Sequence, residues 1–353
     1  MKKWKVIGLM SGSSLDGLDI AFCEFSKENG KWDFTIMQAE TVCYSEKWNV
    51  TLKNIRNHTA EELLALHNDY GKLLGELTRD FLIKHNLKPD LISSHGHTVF
   101  HDPDKGYSFQ LGNGQAIANV THIPTVTDFR TGDILLGGQG APLVPVGDEL
   151  LFGEYDACLN IGGIANISFR EKGNRKAYDV CPANQLLNHV AGELGMEYDK
   201  GGEKASSGKI IDELSYKLNH DSYYRKSIPK SLSNEYVREN FIEVIDNIRA
   251  SSHDKLHTLT LHIAEKIAEA INHGKARTVL VTGGGAKNDF LIDKMQAMTK
   301  SRITIPDEKL VDFKESLIFA FMGLLRSEGQ INCLASVTGA SRDSSIGTVY
   351  RPN

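Results

Sequence analysis

Long apolar runs, paired cysteines and basic stripes are all missing from this chain, and each absence closes off a class of protein. No run approaches the roughly 20 apolar residues that a membrane-spanning helix needs. The five cysteines (Cys23, Cys43, Cys158, Cys181 and Cys333) stand far apart with no paired spacing, which argues for reduced thiols and against a disulfide framework or a zinc site. Lys and Arg form no stripe interleaved with aromatics, and the formal net charge is −5, so nucleic acid is not an expected partner. The opening Met1-Lys2-Lys3-Trp4 lacks the apolar segment of a secretory signal, which gives the expectation of a cytoplasmic protein with no membrane partner. What is present is 353 residues, 41% of them hydrophobic, enough for two domains or one large two-lobed body.

Neither a Walker loop nor a dinucleotide fingerprint occurs, since both run from strand into helix. The Gly-rich stretch from Gly8 to Asp19 instead separates two strand-like runs, Val6–Leu9 and Leu18–Phe22. Gly12 and Gly17 permit backbone angles and close approaches that a Cβ blocks, and Ser11, Ser13 and Ser14 add hydroxyl donors, so the loop suits an anion. Asp16 and Asp19 would repel a bare polyphosphate, which points to a bound cation or a sugar hydroxyl as the partner of at least one.

Trp32–Met37 reads as a third strand, making the opening an antiparallel meander. A helix follows over Ala60–Leu82, started by the Thr59/Glu62 capping-box pair. Short strands at 91–94 and 124–127 end in polar clusters, His95-Gly96-His97-Thr98 and Asp128-Phe129-Arg130, where ligands sit in open α/β sheets. The second half repeats the plan: Tyr155–Ile161 and Ala165–Phe169 flank Gly162-Gly163, and Lys176–Val180 is a third strand before a helix from Asn184 to Leu194. Helices are expected from about Glu235 to Ala250 and Asp254 to His273. A buried strand, Thr278–Val281, then runs into Thr282-Gly283-Gly284-Gly285-Ala286-Lys287-Asn288. The fold class is α/β, with two related lobes of mixed sheet flanked by helices and facing a ligand cleft.

Taken singly, the turn from Asn160 to Asn166 reads as a hairpin and that from Thr282 to Asn288 as a helix cap. Three Gly-rich turns at strand ends together favour a nucleotide held between lobes. The loop Gly137 to Pro145, with Gln139 and Gly140, is either a crossover or a contact for a neutral, hydroxyl-rich ligand. His95, His97 and His101 match no zinc pattern, and orientation of a substrate or a lobe contact suits them better. Asp179 ends an apolar strand beside a helix N-terminus whose dipole favours its ionised form, which makes it the best general base in the chain.

These segments, with Gln110-Leu111-Gly112-Asn113-Gly114, resemble the anhydro-N-acetylmuramic acid kinase family in order over nearly the whole chain. The resemblance implies two ribonuclease-H-like lobes of the sugar kinase, hexokinase and actin-like superfamily. On this pattern the lobes comprise 1–128 with about 316–353, and about 129–315. It implies hydrolytic opening of the anhydro ring coupled to ATP-dependent phosphorylation of O6, in peptidoglycan recycling, by a homodimer using Mg²⁺. It further implies that Asp179, with Glu315 as helper, is catalytic. ATP contacts are implied at Gly12, Ser13, Ser14, Leu15, Asp16, Gly17, Leu18 and Asp19, at Asn160, Gly162, Gly163 and Asn166, and at Gly283, Gly284, Gly285 and Asn288. The amino sugar is assigned to His97, Gln110, Asn113, Asp128, Arg130, Gln139, Gly140 and Asn184.

The chain departs from the family pattern at several points. Val180, Cys181, Ala183 and Asn188 replace the family's Thr, Gly, Gly and Asp around the base. Ser13 replaces a Thr, Gly147-Asp148 stands where Phe-His is usual, and Asn234 replaces an Arg whose planar donor fork Asn lacks. The changes fall mainly on sugar-side segments. A kinase of a related sugar without ring hydrolysis, and a non-catalytic ATP-binding module, both stay open.

Overall fold

The computed structural model describes residues 2–12, 15 and 17–353. Ser13, Ser14 and Asp16 of the expected phosphate loop lie outside the described residues. The chain divides into two compact units, Met1–Phe152 with Phe313–Asn353, and Gly153–Asp312.

In the first unit, β1 (Lys3–Met10), β2 (Leu18–Glu28) and β3 (Lys31–Val42) form the antiparallel meander. Strand β4 (Leu91–Ser94) pairs parallel with β1. Beyond it β5 (His97–Asp102) and β6 (Tyr107–Leu111) make a separate hairpin, and β7 (Thr125–Thr127) pairs parallel with β4. The sheet order is β3-β2-β1-β4-β7, closed by Thr348–Tyr350 antiparallel to β7. Val6, Ile7 and Leu9 are fully buried because β1 lies in the middle of this sheet. The helix Ala60–His85 has the expected capping box and ends at Asn86 in the left-handed region. Its buried face includes Tyr70, Gly71, Leu74 and Phe81; a Cβ on Gly71 would meet the Asn113 backbone nitrogen at 2.7 Å, so the glycine permits the close approach of the next helix, Gly114–Thr121.

The second unit repeats the order. Strands β8 (Ala157–Ile161), β9 (Ile164–Glu171) and β10 (Asn174–Pro182) form a meander, and β11 (Thr278–Thr282) and β12 (Arg302–Thr304) continue it in parallel, giving β10-β9-β8-β11-β12. Three antiparallel strands followed by two parallel to the first is the ribonuclease-H-like arrangement, present once in each unit. The long helix Ser252–His273 buries Leu256, Leu259, Ile263, Ile267 and Ile271 in the core of this unit.

Three expectations can be set beside these elements. The first compact unit runs to Phe152 and resumes at Phe313, beside expected lobe boundaries of 128 and about 316. The extra residues belong there because Asp148, on the short helix Pro145–Leu150, pairs with Lys314 at 2.7 Å in a nearly fully buried contact. The helix expected from about Glu235 to Ala250 runs from Asn234 to Asp246, with a π-turn at Arg238–Ile242. The polar cluster His95–Thr98, expected to end a strand, leads into the β5–β6 hairpin, which had no sequence expectation of its own.

Candidate active site

In the first unit the chemistry gathers around Arg130. His95 Nδ1–H donates to the Gly96 carbonyl at 2.9 Å, which leaves Nε2 as an acceptor. Arg130 fills it through Nε at 3.3 Å and Nη2 at 2.9 Å, and its Nη1 donates to the Gly140 carbonyl at 2.8 Å. Burial and the neighbouring guanidinium hold His95 well below the ordinary imidazole range, so it stays neutral. Arg130 itself is lowered to about 10 by burial, with Glu315 opposing the shift. One N–H on each terminal nitrogen of Arg130 remains for a ligand.

Glu315 follows a kink at Phe313 in the helix Glu308–Ser327. Burial and the Asp19 carboxylate raise its pKa, while Lys314 and Arg130 pull it down. Asp19 accepts the Thr41 hydroxyl at 2.6 Å. Asp19, Arg130 and Glu315 thus form one charged group at the end of β1 and β2. Beside it Ser11 is buried against two tyrosine hydroxyls, Tyr44 and Tyr70, each at 2.9 Å and 2.7 Å from one another. A cavity of about 140 Å³ opens beside His95, Gln110 and Asp128. Among the described residues, Gln110 Oε1 and His97 Nδ1 are buried without a hydrogen-bond partner. Such groups are costly unless a polar ligand meets them. Asp128 adopts φ +59, its Oδ1 accepting from Thr131 N at 3.3 Å.

In the second unit the strand register sets the site. Asp179 lies opposite Asn166, Asn166 opposite Asn160, and Asn160 beside Thr282. Directly opposed residues share a face of a sheet, so the row carries the Asp179 carboxylate, two amides and the start of the Gly turn on one side. A bulge follows Asp179. The segment 230–232 clamps it: Asp179 N donates to the Lys230 carbonyl at 3.1 Å, Leu232 N donates to Oδ2 at 2.9 Å, and the Tyr223 hydroxyl donates to its carbonyl. Burial raises the Asp179 carboxyl from the ordinary 3.8 to about 6, and the Leu232 N–H opposes the shift. The helix Asn184–Glu193 begins five residues after Asp179. The first N–H groups of that helix, from Ala183, Asn184 and Gln185, are spent on the carbonyls of Gly162 and Gly163. Gly283 sits at φ +84, where a Cβ would meet Asn160 Oδ1 at 2.5 Å, whereas a Cβ on Gly284 would meet nothing nearer than Asn184 Nδ2 at 3.6 Å.

Residues 4–352 match the family described as anhydro-N-acetylmuramic acid kinase. The chain belongs to that family. Relatives bearing the same description come from Aliivibrio fischeri, 36% identical over 99% of this chain and 100% of the relative, and from Synechococcus elongatus, 33% identical over 98% and 99%. One from Francisella tularensis subsp. novicida is 31% identical over 97% of each chain.

Within this family member, the assigned residues divide by what the fold already asks of them. Asn113 caps the helix Gly114–Thr121 through Oδ1, to Gln115 N at 2.8 Å and Ala116 N at 3.3 Å, while its amide donates to Asn68 Oδ1 at 2.7 Å. Asn113 thus already carries hydrogen bonds that hold the start of that helix. Asn288 spends its oxygen on the cap of Asp289–Ala297, and Asn184 donates to the Ile161 carbonyl at 3.2 Å. Gln139 is exposed on its loop, and its backbone N donates to the Thr338 carbonyl at 2.9 Å. Gly12, Leu15, Gly17 and Leu18 lie in and around the turn between β1 and β2; a Cβ on Gly17 would meet the Val42 carbonyl oxygen at 2.5 Å. The sequence assigns His95 to orientation of a substrate or a lobe contact and carries no signal for the hydrogen bonds of Tyr44, Tyr70 and Tyr223. Their contacts join residues 26 to 59 positions apart in sequence and carry no local signature. Among the described residues no helix is long and apolar enough to cross a membrane, and no three His, Cys, Asp or Glu side chains are grouped to hold a metal.

Proposed function

We propose that this kinase hydrolytically opens 1,6-anhydro-N-acetylmuramic acid and phosphorylates its O6 with ATP, giving N-acetylmuramic acid 6-phosphate for peptidoglycan recycling. The family match over residues 4–352 carries the reading. Asp179 has the chemistry the hydrolytic half requires. Its Oδ2 is held by the Leu232 N–H, and with a pKa raised to about 6 it is both ionised at neutral pH and a stronger base than an ordinary carboxylate. It accepts the proton of the water that adds to the anomeric carbon, as O6 leaves toward the γ-phosphate.

In the first unit, the two unspent N–H groups of Arg130, with His97 and Gln110, meet the polar atoms of the sugar, and Glu315 assists. The turn around Gly12 faces phosphate. In the second unit, Gly162, Gly163, Asn160, Asn166 and the Gly283–Gly285 turn face the nucleotide, and the open space over Gly284 fits this role. When bound, Mg²⁺ would supply charge neutralisation on the phosphoryl oxygens, and the Asp19 carboxylate is an oxygen donor of the kind that would hold it. A kinase of a related sugar without hydrolysis is the second reading. It draws on Asn234, whose Oδ1 accepts from Gln185 Nε2 at 2.8 Å where the family pattern has an Arg.

The test is ATP consumption with Mg²⁺ against a panel of anhydro-sugars and free amino sugars, with the product masses measured. Turnover of the anhydro-sugar to a product heavier by one phosphoryl group and one water is expected. Turnover only of free amino sugars overturns the hydrolytic reading, and no turnover of any sugar overturns the kinase reading.

A further inference from the structure

We infer that Asp133, which none of the site assignments includes, is a positioning residue that fixes the guanidinium of Arg130 for the sugar. The inference rests on the proposed role of Arg130 as a sugar contact. Asp133 is fully buried, and a buried carboxylate is tolerated only where donors surround it. Three reach it from three segments: Thr338 Oγ1 at 2.7 Å and Cys333 Sγ at 3.2 Å to Oδ1, and Gly140 N at 2.8 Å to Oδ2.

Gly140 is the link. It sits at φ +64, a left-handed conformation in which its N–H turns inward to Asp133 while its carbonyl faces Arg130 Nη1 at 2.8 Å. A Cβ there would also press on Ile134 Cδ1 at 2.9 Å, so a side chain at this position is strained. The loop is pinned a second time by Gln139 N on the Thr338 carbonyl at 2.9 Å. With His95 holding Nε and Nη2, the Gly140 carbonyl is the third fixed point on the guanidinium. Three points fix the plane of the fork and hence the direction of its two unspent N–H groups. Moving the Gly140 carbonyl would leave Arg130 hinged on His95 alone. A misaimed fork loses a bidentate contact even when the charge remains.

The argument predicts a coupling, read by a double-mutant cycle. Asp133→Asn keeps the volume but puts two N–H groups where the carboxylate accepted from Gly140 or Thr338. In the otherwise native kinase it should raise KM for the anhydro-sugar about tenfold, leaving KM for ATP within about twofold. Arg130→Met should raise the sugar KM at least as much, and adding Asp133→Asn to it should change the sugar KM no further, because the residue acts only through Arg130. Thr338→Val, which removes one donor to Asp133, should shift the sugar KM in the same direction by less; it serves as the test if Asp133→Asn fails to fold. Additive effects of Asp133→Asn and Arg130→Met, or equal changes in KM for sugar and ATP, overturn the inference. An Arg130→Met enzyme with unchanged sugar KM instead overturns the reading of Arg130 itself.

Discussion

On the proposed mechanism, stability and catalysis pull Asp179 in opposite directions. Its folded pKa is raised from 3.8 to about 6, so the native state holds the proton more tightly than the unfolded chain. Protonated at pH 3, the group costs nothing. As pH climbs through 3.8 the unfolded chain ionises first, and the penalty grows until about pH 6, then stays level at about 3 kcal/mol. Asp179→Asn keeps the shape without the charge. It should cut kcat by at least about a hundredfold while unfolding at higher denaturant than the parent at pH 8, and this difference should vanish near pH 4. The parent enzyme should lose kcat/KM on the acid side with a midpoint near 6. A variant that keeps its turnover removes Asp179 from catalysis. One that unfolds more easily at pH 8 shows the carboxylate to be structural, held by Leu232 N for the sake of the fold.

At the scale of elements, the Gly turn after β11 separates two functions that its sequence runs together. Gly283 is required by the fold, since its left-handed angle and the nearby Asn160 side chain exclude a Cβ. Gly284 is not. A Cβ there would come no nearer than 3.6 Å to the Asn184 amide, so Gly284→Val should melt close to the parent yet lose the thermal stabilisation expected from ATP with Mg²⁺, about 2.7 kcal/mol at a hundredfold excess over Kd. Gly283→Ala should lower the melting temperature without ligand. Equal nucleotide stabilisation in Gly284→Val and the parent would remove the turn from the nucleotide site. The buried pair between helix Pro145–Leu150 and helix Glu308–Ser327 gives a further outcome. Asp148→Asn removes the negative partner from this nearly fully buried ion pair and should cost about 3 to 5 kcal/mol, seen as a lower denaturant midpoint at unchanged m-value. A midpoint within error of the parent would mean that Lys314 finds another partner.

The same contrast explains what could be read from sequence. Both meanders were legible because central strands such as Val6–Leu9 and Ala157–Ile161 are apolar runs bounded by Gly turns, and the helix from Ala60 because Thr59 and Glu62 are spaced for a reciprocal cap. The β5–β6 hairpin was not, since His97, His101 and Asp102 give it no apolar alternation. Asp179 could be picked out as a strand-end carboxylate, but the reason for its basicity could not, because burial under the 230–232 segment is a contact across some 50 residues. Asn113 and Asn288 are ambiguous in sequence for a related reason. Asn at a helix start has the same appearance as a ligand and as a cap, and only the N–H groups it accepts from decide between them.

For the whole molecule, the two sheets with the same strand order divide the chemistry between them. The first unit offers cations and orphaned polar atoms suited to a sugar, and the second a carboxylate base beside an open Gly turn. That division is compatible with simple phosphorylation of a hydroxyl as well as with ring opening, since a base of pKa about 6 serves either. The two reactions differ in one atom. In ring opening, water supplies the oxygen at C1 and O6 of the anhydro-sugar takes the phosphoryl group. In simple transfer no solvent oxygen enters the sugar. Single-turnover reaction in heavy-oxygen water, quenched before the new hemiacetal exchanges with solvent, should therefore place one label at C1 and none in the phosphate. Asp179→Asn should slow label entry and ATP consumption by the same factor, because one proton transfer gates both. Label entry without ATP consumption would make the chain a hydrolase whose phosphoryl transfer is separate, and ATP consumption on the anhydro-sugar without label would exclude the hydrolytic mechanism.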